Sequence, residues 1–508
     1  MSAVALAFGT VGAPEARARS NPRFKEDPFS LGVASGDPLP DGVVLWTRLA
    51  PEPLQPDGGM DRRRKFPVQW QVATDEGFRN IARKGTAFAK PEFAHSVHVD
   101  VRGLKPGRDY FYRFRSGPHL SEVGRTRTAP ALGAHLSSLN LVVASCQSFG
   151  GGYYHAWKDA AEDPADVVFF AGDYIYEYAV IVTDGVYSRR TDVEPVPDDY
   201  KRETDTLARY RQQYSLYKSD PDLIEAHRLS PWIVTWDDHE VVNDYDSTDE
   251  QLLVRRANAY RAFWEHMPLR LPQLPSGPDA LLYRRISYGD LAQFNVLDTR
   301  QYRSSSLPGS TTPDTPERRD PSRTMLGDTQ EAWLLNGLSA SPARWNVLAQ
   351  SVLFGRLDSD ASDAERFSTG QWDGYQAAQQ RIIDHVSEQS VDNFVVLTGD
   401  VHRNYDLDIL ADYENPGSRT VGVEFAGTSI SSGGDGVDND AGLDVRRAAN
   451  PHLKFANLQR GYIRCRVDHQ SWTTELRVLD RISDPDDYSV STRKTLTTEA
   501  GNPGLEFA

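Results

Sequence analysis

Cysteine is almost missing from this chain, with 2 in 508 residues. That excludes a disulfide framework and a four-cysteine zinc site. No apolar run approaches the ~18 residues of a membrane-spanning helix. No G-x-S-x-G turn occurs, so a serine hydrolase has no support. An excess of positive charge is missing too: 56 Lys+Arg stand against 72 Asp+Glu, a net charge of −16. Such a chain does not hold polyanions through its overall field, which argues against sequence-specific nucleic-acid binding. What is present is 39% hydrophobic and 10% aromatic residues, enough for a sizeable core and too many for a disordered chain. The length suggests two to four domains at ~150 residues each. The surplus carboxylates are a supply of hard oxygen ligands for metal ions.

The chain divides by its patterning. Residues 2–13, SAVALAFGTVGA, are small and apolar, and Ala16-Arg17-Ala18 fits a small-x-small cleavage site. Residues 1–20 therefore read as a leader remnant of an exported protein, with the twin-arginine route as one candidate, or else as a floppy tail, since a positive n-region is missing. Residues 28–130 carry short β-type runs (GVVLWTRL, VQWQVATD, SVHVDVRGL, YFYRFRSG) between turn signals, the pattern of an all-β sandwich. Within it, Leu104 to Arg113 resembles the tyrosine corner of fibronectin type III-like domains. TAPALGAHLSS reads as a linker, 138–490 as the main domain, and 491–508 as a C-terminal tail with no clear signal.

From residue 139 the runs LNLVVAS, DVVFFAG, WIVTW, FNVLD, WNVLAQSV and NFVVLTG are apolar on both faces. This predicts strands covered by helices, an α/β layered sheet. Helices are expected over 206–217 and 251–266 and after Asp328, where Asp328-x-x-Glu331 reads as a capping arrangement.

The strand ends carry the functional signal. LVVAS leads into Cys146-Gln147, and VVFFA into Gly172-Asp173-Tyr174-Ile175-Tyr176-Glu177. WIVTW leads into Asp237-Asp238-His239-Glu240 with Asn243 close behind, and VVLT into Gly399-Asp400-Val401-His402. Ligand sites of open α/β sheets lie beyond the carboxyl ends of the strands. Metal-ligand chemistry at four such ends therefore predicts one metal-binding rim. Carboxylate and amide oxygens suit Ca²⁺, Mg²⁺ or Mn²⁺, whereas the Cys146 thiolate and Tyr176 phenolate suit Fe³⁺. A mixed pair needs a shared carboxylate, and Asp173 is central in the set.

These blocks resemble the signature blocks of the PhoD-type alkaline phosphatases, a branch of the calcineurin-like metallophosphoesterases, over about residues 28–490. Cys146, Asp238 and Asp400 depart from the general superfamily pattern as that branch does. The resemblance implies an α/β/β/α layered metallophosphoesterase core behind the sandwich, and Fe³⁺ with two Ca²⁺. It places Cys146, Tyr176, Asp173 and His402 on iron, and Asp173, Asp238, Asn243 and Asp400 on calcium. It also implies hydrolysis of phosphate esters by in-line attack of a metal-activated hydroxide or oxide on phosphorus.

Two residues are assigned catalytic work. Arg256 is the candidate phosphate grip, because a guanidinium matches phosphate oxygens bidentately. His239 is either the general acid or an orienting neighbour of the metals. Bland alternatives stand beside the ligands: Cys146 as a small buried hydrophobe or a partner of Cys465, and Tyr176 as one of 22 tyrosines. Cys465 itself reads as core, and Gly427–Gly436 as a loop on the rim of the site. An alkaline phosphatase acting on mono- and diesters, a phospholipase D of the same family, and a surface-binding protein with structural metals are the competing functions.

Overall fold

The computed structural model describes residues 22–180 and 197–508 apart from Thr248, Ala361, Asp363 and Pro416. The expected leader at 1–20 lies outside the described residues.

Each of the six apolar runs forms a strand, and the strands belong to two sheets. Leu139–Ala144, Val167–Ala171 and Pro231–Thr235 run parallel in a 10-stranded sheet. Ala292–Val296, Trp345–Ala349 and Phe394–Thr398 run parallel in a 7-stranded sheet, with Thr420–Ala426 continuing the set. Period-2 alternation divides each strand between two layers. Leu139, Leu141 and Val143 meet Phe169, Phe294, Val347, Val395 and Phe425 in a core between the sheets. Val142 and Ala144 face the other way, toward Trp157, Ala226, Tyr260 and Phe263 on the outer helices. On the far side of the second sheet, Leu334, Leu338, Ile382 and Ile383 cover Leu348 and Val396. Burying a side chain such as Phe169 contributes ~1.5–3 kcal/mol, so strands apolar on both faces are stable only when covered twice. The result is the expected four-layered α/β/β/α order.

The N-terminal region is a β-sandwich, and it is not a separate bead. Its strands Val33–Leu39, Gly42–Arg48 and Ser96–Arg102 extend the 10-stranded sheet, Val33–Leu39 pairing in parallel with Pro231–Thr235. A 5-stranded sheet built on Phe66–Ala73 and Asp109–Ser116 covers them, with Val68, Val72, Tyr112 and Phe114 in the shared core. The tyrosine corner is formed: the Lys105 backbone N–H donates to Tyr110 Oη at 2.8 Å.

Two local readings are corrected. The helix Gly327–Ser339 starts after Leu326, so Asp328 lies inside its first turn. Thr324 Oγ1 instead accepts from the N–H groups of Leu326 and Gly327. The stretch 491–508 is no tail: Val490–Glu499 and Asn502–Phe507 form a hairpin at the edge of the 10-stranded sheet. Leu505 N–H donates to Asp408 Oδ1 of the other sheet, so this hairpin ties the two sheets together.

Candidate metal centre

The carboxyl ends of the parallel strands of both sheets converge on one rim, stitched by a parallel bridge between Ser145 and Ser429. The chain turns sharply at each end. Cys146, Asp173, Asp400 and His402 all have left-handed φ, between 53° and 61°. Such residues cost of order 1–3 kcal/mol in local strain and cluster at functional sites. Gly172, at φ 96°, permits the closest approach, because a Cβ there would stand 2.5 Å from Asp237 Cβ.

One group of donors is mixed. Ligand atoms of Cys146, Asp173 and His402 lie within 4.8 Å of one another. Tyr176 Oη donates to Asp173 Oδ2 at 3.1 Å and lies 3.0 Å from His402 Nε2. A second group is hard: Asp173, Asp238 and His239, overlapping with Asp237, Asp238 and Asp400. Asp173 belongs to both groups. Cys146 and Cys465 are both free thiols, and Cys465 packs in the core between the sheets, so they do not pair.

Supporting residues fix these donors. Glu240 accepts from the N–H groups of Asp173, Tyr174 and Asp237, at 3.1, 2.5 and 2.7 Å, and so clamps two strand ends together. Glu177 accepts from His239 Nδ1 at 2.7 Å and from the Asn243 N–H at 2.9 Å. Ser432 Oγ lies 2.7 Å from Tyr176 Oη and 2.8 Å from the Cys146 carbonyl, so the Gly427–Gly436 loop does line the rim. Arg460 holds the Gly434 carbonyl at 2.8 Å and also the His402 carbonyl, which fixes His402 to that loop.

Arg300 is a buried cation of the rim. It is 1% exposed, and it pairs with Asp237, with Asp400 at 3.0 Å and with Asp238 at 3.4 Å. Gln371 Nε2 donates to the other oxygen of Asp400. A single guanidinium does not balance Asp173, Asp237, Asp238 and Asp400. Asp237 Oδ2 and Asp238 Oδ1 are buried without a hydrogen-bond partner. Burial pushes the carboxyls of Asp173, Asp237 and Asp400 above the usual range. Asp238 stays below it, because Arg300 and His239 outweigh its burial. Burial also pushes the Cys146 thiol and the Tyr176 phenol well up, and the neighbouring charge of Asp173 adds to both. It lowers His402 to about 3, leaving a neutral imidazole with a lone pair to donate. His239 is the exception: burial opposes its charge, but Asp173, Asp238 and Glu177 prevail and keep it an imidazolium. Four carboxyl groups against one guanidinium, two of their buried oxygens unsatisfied, beside the neutral imidazole of His402, fit bound cations.

Of the residues expected at the site, Cys146, Asp173, Tyr176, Asp238, Asp400, His402 and His239 are brought together. Asn243 and Arg256 are not. The Asn243 amide is exposed and donates to Asp244. The Arg256 guanidinium is held by the Pro278 carbonyl at 2.8 Å and by Asp279 at 3.3 Å, and no rim carboxylate pairs with it among the described residues. Arg300 instead places its guanidinium among the rim carboxylates, and it follows the fourth of the six apolar runs, FNVLD. Its signal was the one used for the others, a charged residue just past the carboxyl end of a buried strand.

Residues 141–476 match the model of the PhoD-like phosphatase family, and residues 14–130 match that of the PhoD-like phosphatase N-terminal domain. A curated relative, alkaline phosphatase D of Bacillus subtilis (strain 168), is 46% identical over 504 residues, covering 98% of this chain and 85% of that protein. A solved structure of PhoD superposes with a TM-score of 0.91 at 46% identity, covering 96% of this chain and 93% of that one.

Proposed function

The chain belongs to the PhoD-like phosphatase family and is a phosphoester hydrolase, and we propose that it works as an exported alkaline phosphatase on an Fe³⁺ and Ca²⁺ centre at this rim. The observation that carries the metal reading is the overlap of two donor groups on Asp173, one containing Cys146 and His402, the other only carboxylates and His239. Cys146, Tyr176, Asp173 and His402 would hold iron; Asp173, Asp238 and Asp400 would hold calcium, with Asp237 as a further carboxylate. Bound there, the ions would supply positive charge for the phosphoryl oxygens and would acidify a neighbouring water.

The chain's own groups supply the rest. His239 holds a proton that it can give to the leaving oxygen, and Glu177 fixes the ring through Nδ1. The Tyr176 ring lies over it with centroids 4.2 Å apart. Ser432 orients the Tyr176 hydroxyl, and Arg460 fixes the His402 backbone from behind. Arg300 balances part of the carboxylate charge and sets the spacing of Asp237, Asp238 and Asp400. No covalent enzyme intermediate is needed. The apolar stretch before Ala16-Arg17-Ala18 supports export, and among the described residues no helix is long and apolar enough to cross a membrane.

A panel of aryl monoester, aryl diester and phosphatidylcholine, assayed before and after chelation, tests this function. Turnover of the aryl esters, abolished by calcium chelation and restored by calcium, is expected. Activity indifferent to chelators would remove the metal role, and preference for phosphatidylcholine would move the activity to a phospholipase. His239→Gln should slow esters of poorly acidic leaving groups about 10²-fold or more, the scale of general acid catalysis, and activated aryl esters much less.

A further inference from the structure

A second constellation lies at the opposite ends of the strands. His135 from the linker, Asp290 from the turn between Arg284–Tyr288 and Ala292–Val296, and His469 from the turn between Arg460–Val467 and Ser471–Leu479 meet on the surface. One ligand atom from each lies within 4.8 Å of the others. His135 Nδ1 is 3.2 Å from Asp290 Oδ2, and His469 Nε2 is 3.2 Å from Asp290 Oδ1. The two imidazoles stack with centroids 4.7 Å apart and planes 21° from parallel. His469 Nε2 is shielded from solvent, faces this space and makes no hydrogen bond.

The backbone holds the constellation in place. Asp290 N–H donates to the Ala134 carbonyl at 2.9 Å, and Leu136 N–H to Asp290 Oδ1 at 3.0 Å. Arg344 joins the two turns, its N–H donating to the Asp290 carbonyl at 2.8 Å and its Nε to the His469 carbonyl at 3.0 Å. Three segments distant in sequence therefore bring two imidazole nitrogens and a carboxylate within 4.8 Å of one another. The strand Leu139–Ala144 starts just after Leu136 and delivers Cys146 at its far end, so this point is remote from the catalytic rim.

We propose that His135, Asp290 and His469 form a binding site for a divalent transition-metal ion of the Zn²⁺ class. Imidazole nitrogen selects zinc-like ions over calcium and magnesium, and two His with one carboxylate is a recognised zinc donor set that leaves the fourth position to water. The ion would pin the linker between the sandwich and the main domain to a turn of each sheet. It would stabilise that junction and leave the catalytic chemistry unchanged.

The test is zinc uptake by the iron- and calcium-loaded enzyme at micromolar free Zn²⁺, with calcium in excess, for wild type, His135→Ala, His469→Ala and the double variant. Wild type should bind one zinc equivalent more than each variant and gain a few degrees in Tm on zinc addition. The variants should show no such gain, with phosphoesterase activity equal to wild type in zinc-free buffer. Equal zinc uptake and equal Tm response in wild type and the double variant would overturn the assignment. Because His135 is largely exposed, its replacement leaves the fold intact and keeps the comparison valid.

Discussion

Asp173→Ala is expected to yield a protein that retains neither iron nor calcium and hydrolyses phosphate esters at least about 10³-fold more slowly, the scale of losing one preorganised electrostatic group. Asp173 is the only residue named in both the mixed and the hard donor groups among the described residues. Its Oδ2 accepts from Tyr176, and its Oδ1 faces the His239 N–H at 3.4 Å. Alanine removes a charge from each metal and leaves Tyr176 without its acceptor. Asp173→Asn is the informative companion. It keeps the size and one carbonyl oxygen, so folding should survive, whereas the bridging charge is gone and calcium should be lost first. Metal analysis beside kinetics reads both. Asp173→Ala protein with normal contents of both metals would show that the carboxylate does not bridge.

Arg300→Met should destabilise the metal-free protein by about 3–5 kcal/mol, the cost of stranding one side of a buried ion pair. The guanidinium is buried against Asp237, Asp238 and Asp400, and methionine leaves these carboxylates facing each other. Added calcium restores positive charge to the same space, so the loss should shrink in metal-loaded protein. Urea unfolding of wild type and variant, each with chelator and with excess calcium, measures this difference. The sign separates two roles. If Arg300 only packs, calcium does not change the gap between variant and wild type. If it balances the ligand charges, the gap narrows as calcium is added.

Much of this rim was legible because strands apolar on both faces have few interpretations, and ligand-type residues just past their ends are conspicuous. The four strand ends stand out that way, and the resemblance to the PhoD-type blocks singles out Cys146, Asp173, Tyr176, Asp238, Asp400 and His402 within them. Arg300 is no metal donor, and residue type alone put the guanidinium role on Arg256 instead. The clamps Glu177 and Glu240 act on backbone N–H groups, so their partners depend on turns that residue types do not spell out. Arg256 was misplaced for a related reason: residue type suggested a phosphate grip, but its position on the helix Leu253–His266 sends it to the Pro278 carbonyl. The shared sheet was hidden because the pairing of Val33–Leu39 with Pro231–Thr235 joins segments almost two hundred residues apart. The C-terminal hairpin was hidden because its edge strands are largely polar, and an exposed edge needs no apolar run.

In the proposed mixed centre, iron sits on Cys146 and Tyr176 and calcium on the carboxylates. The most direct measurement is metal content together with visible absorption for wild type and Tyr176→Phe. Wild-type protein is expected to be coloured and to contain iron and calcium, and Tyr176→Phe to lose the visible band and keep its calcium. A colourless, iron-free wild-type protein with full activity would contradict it.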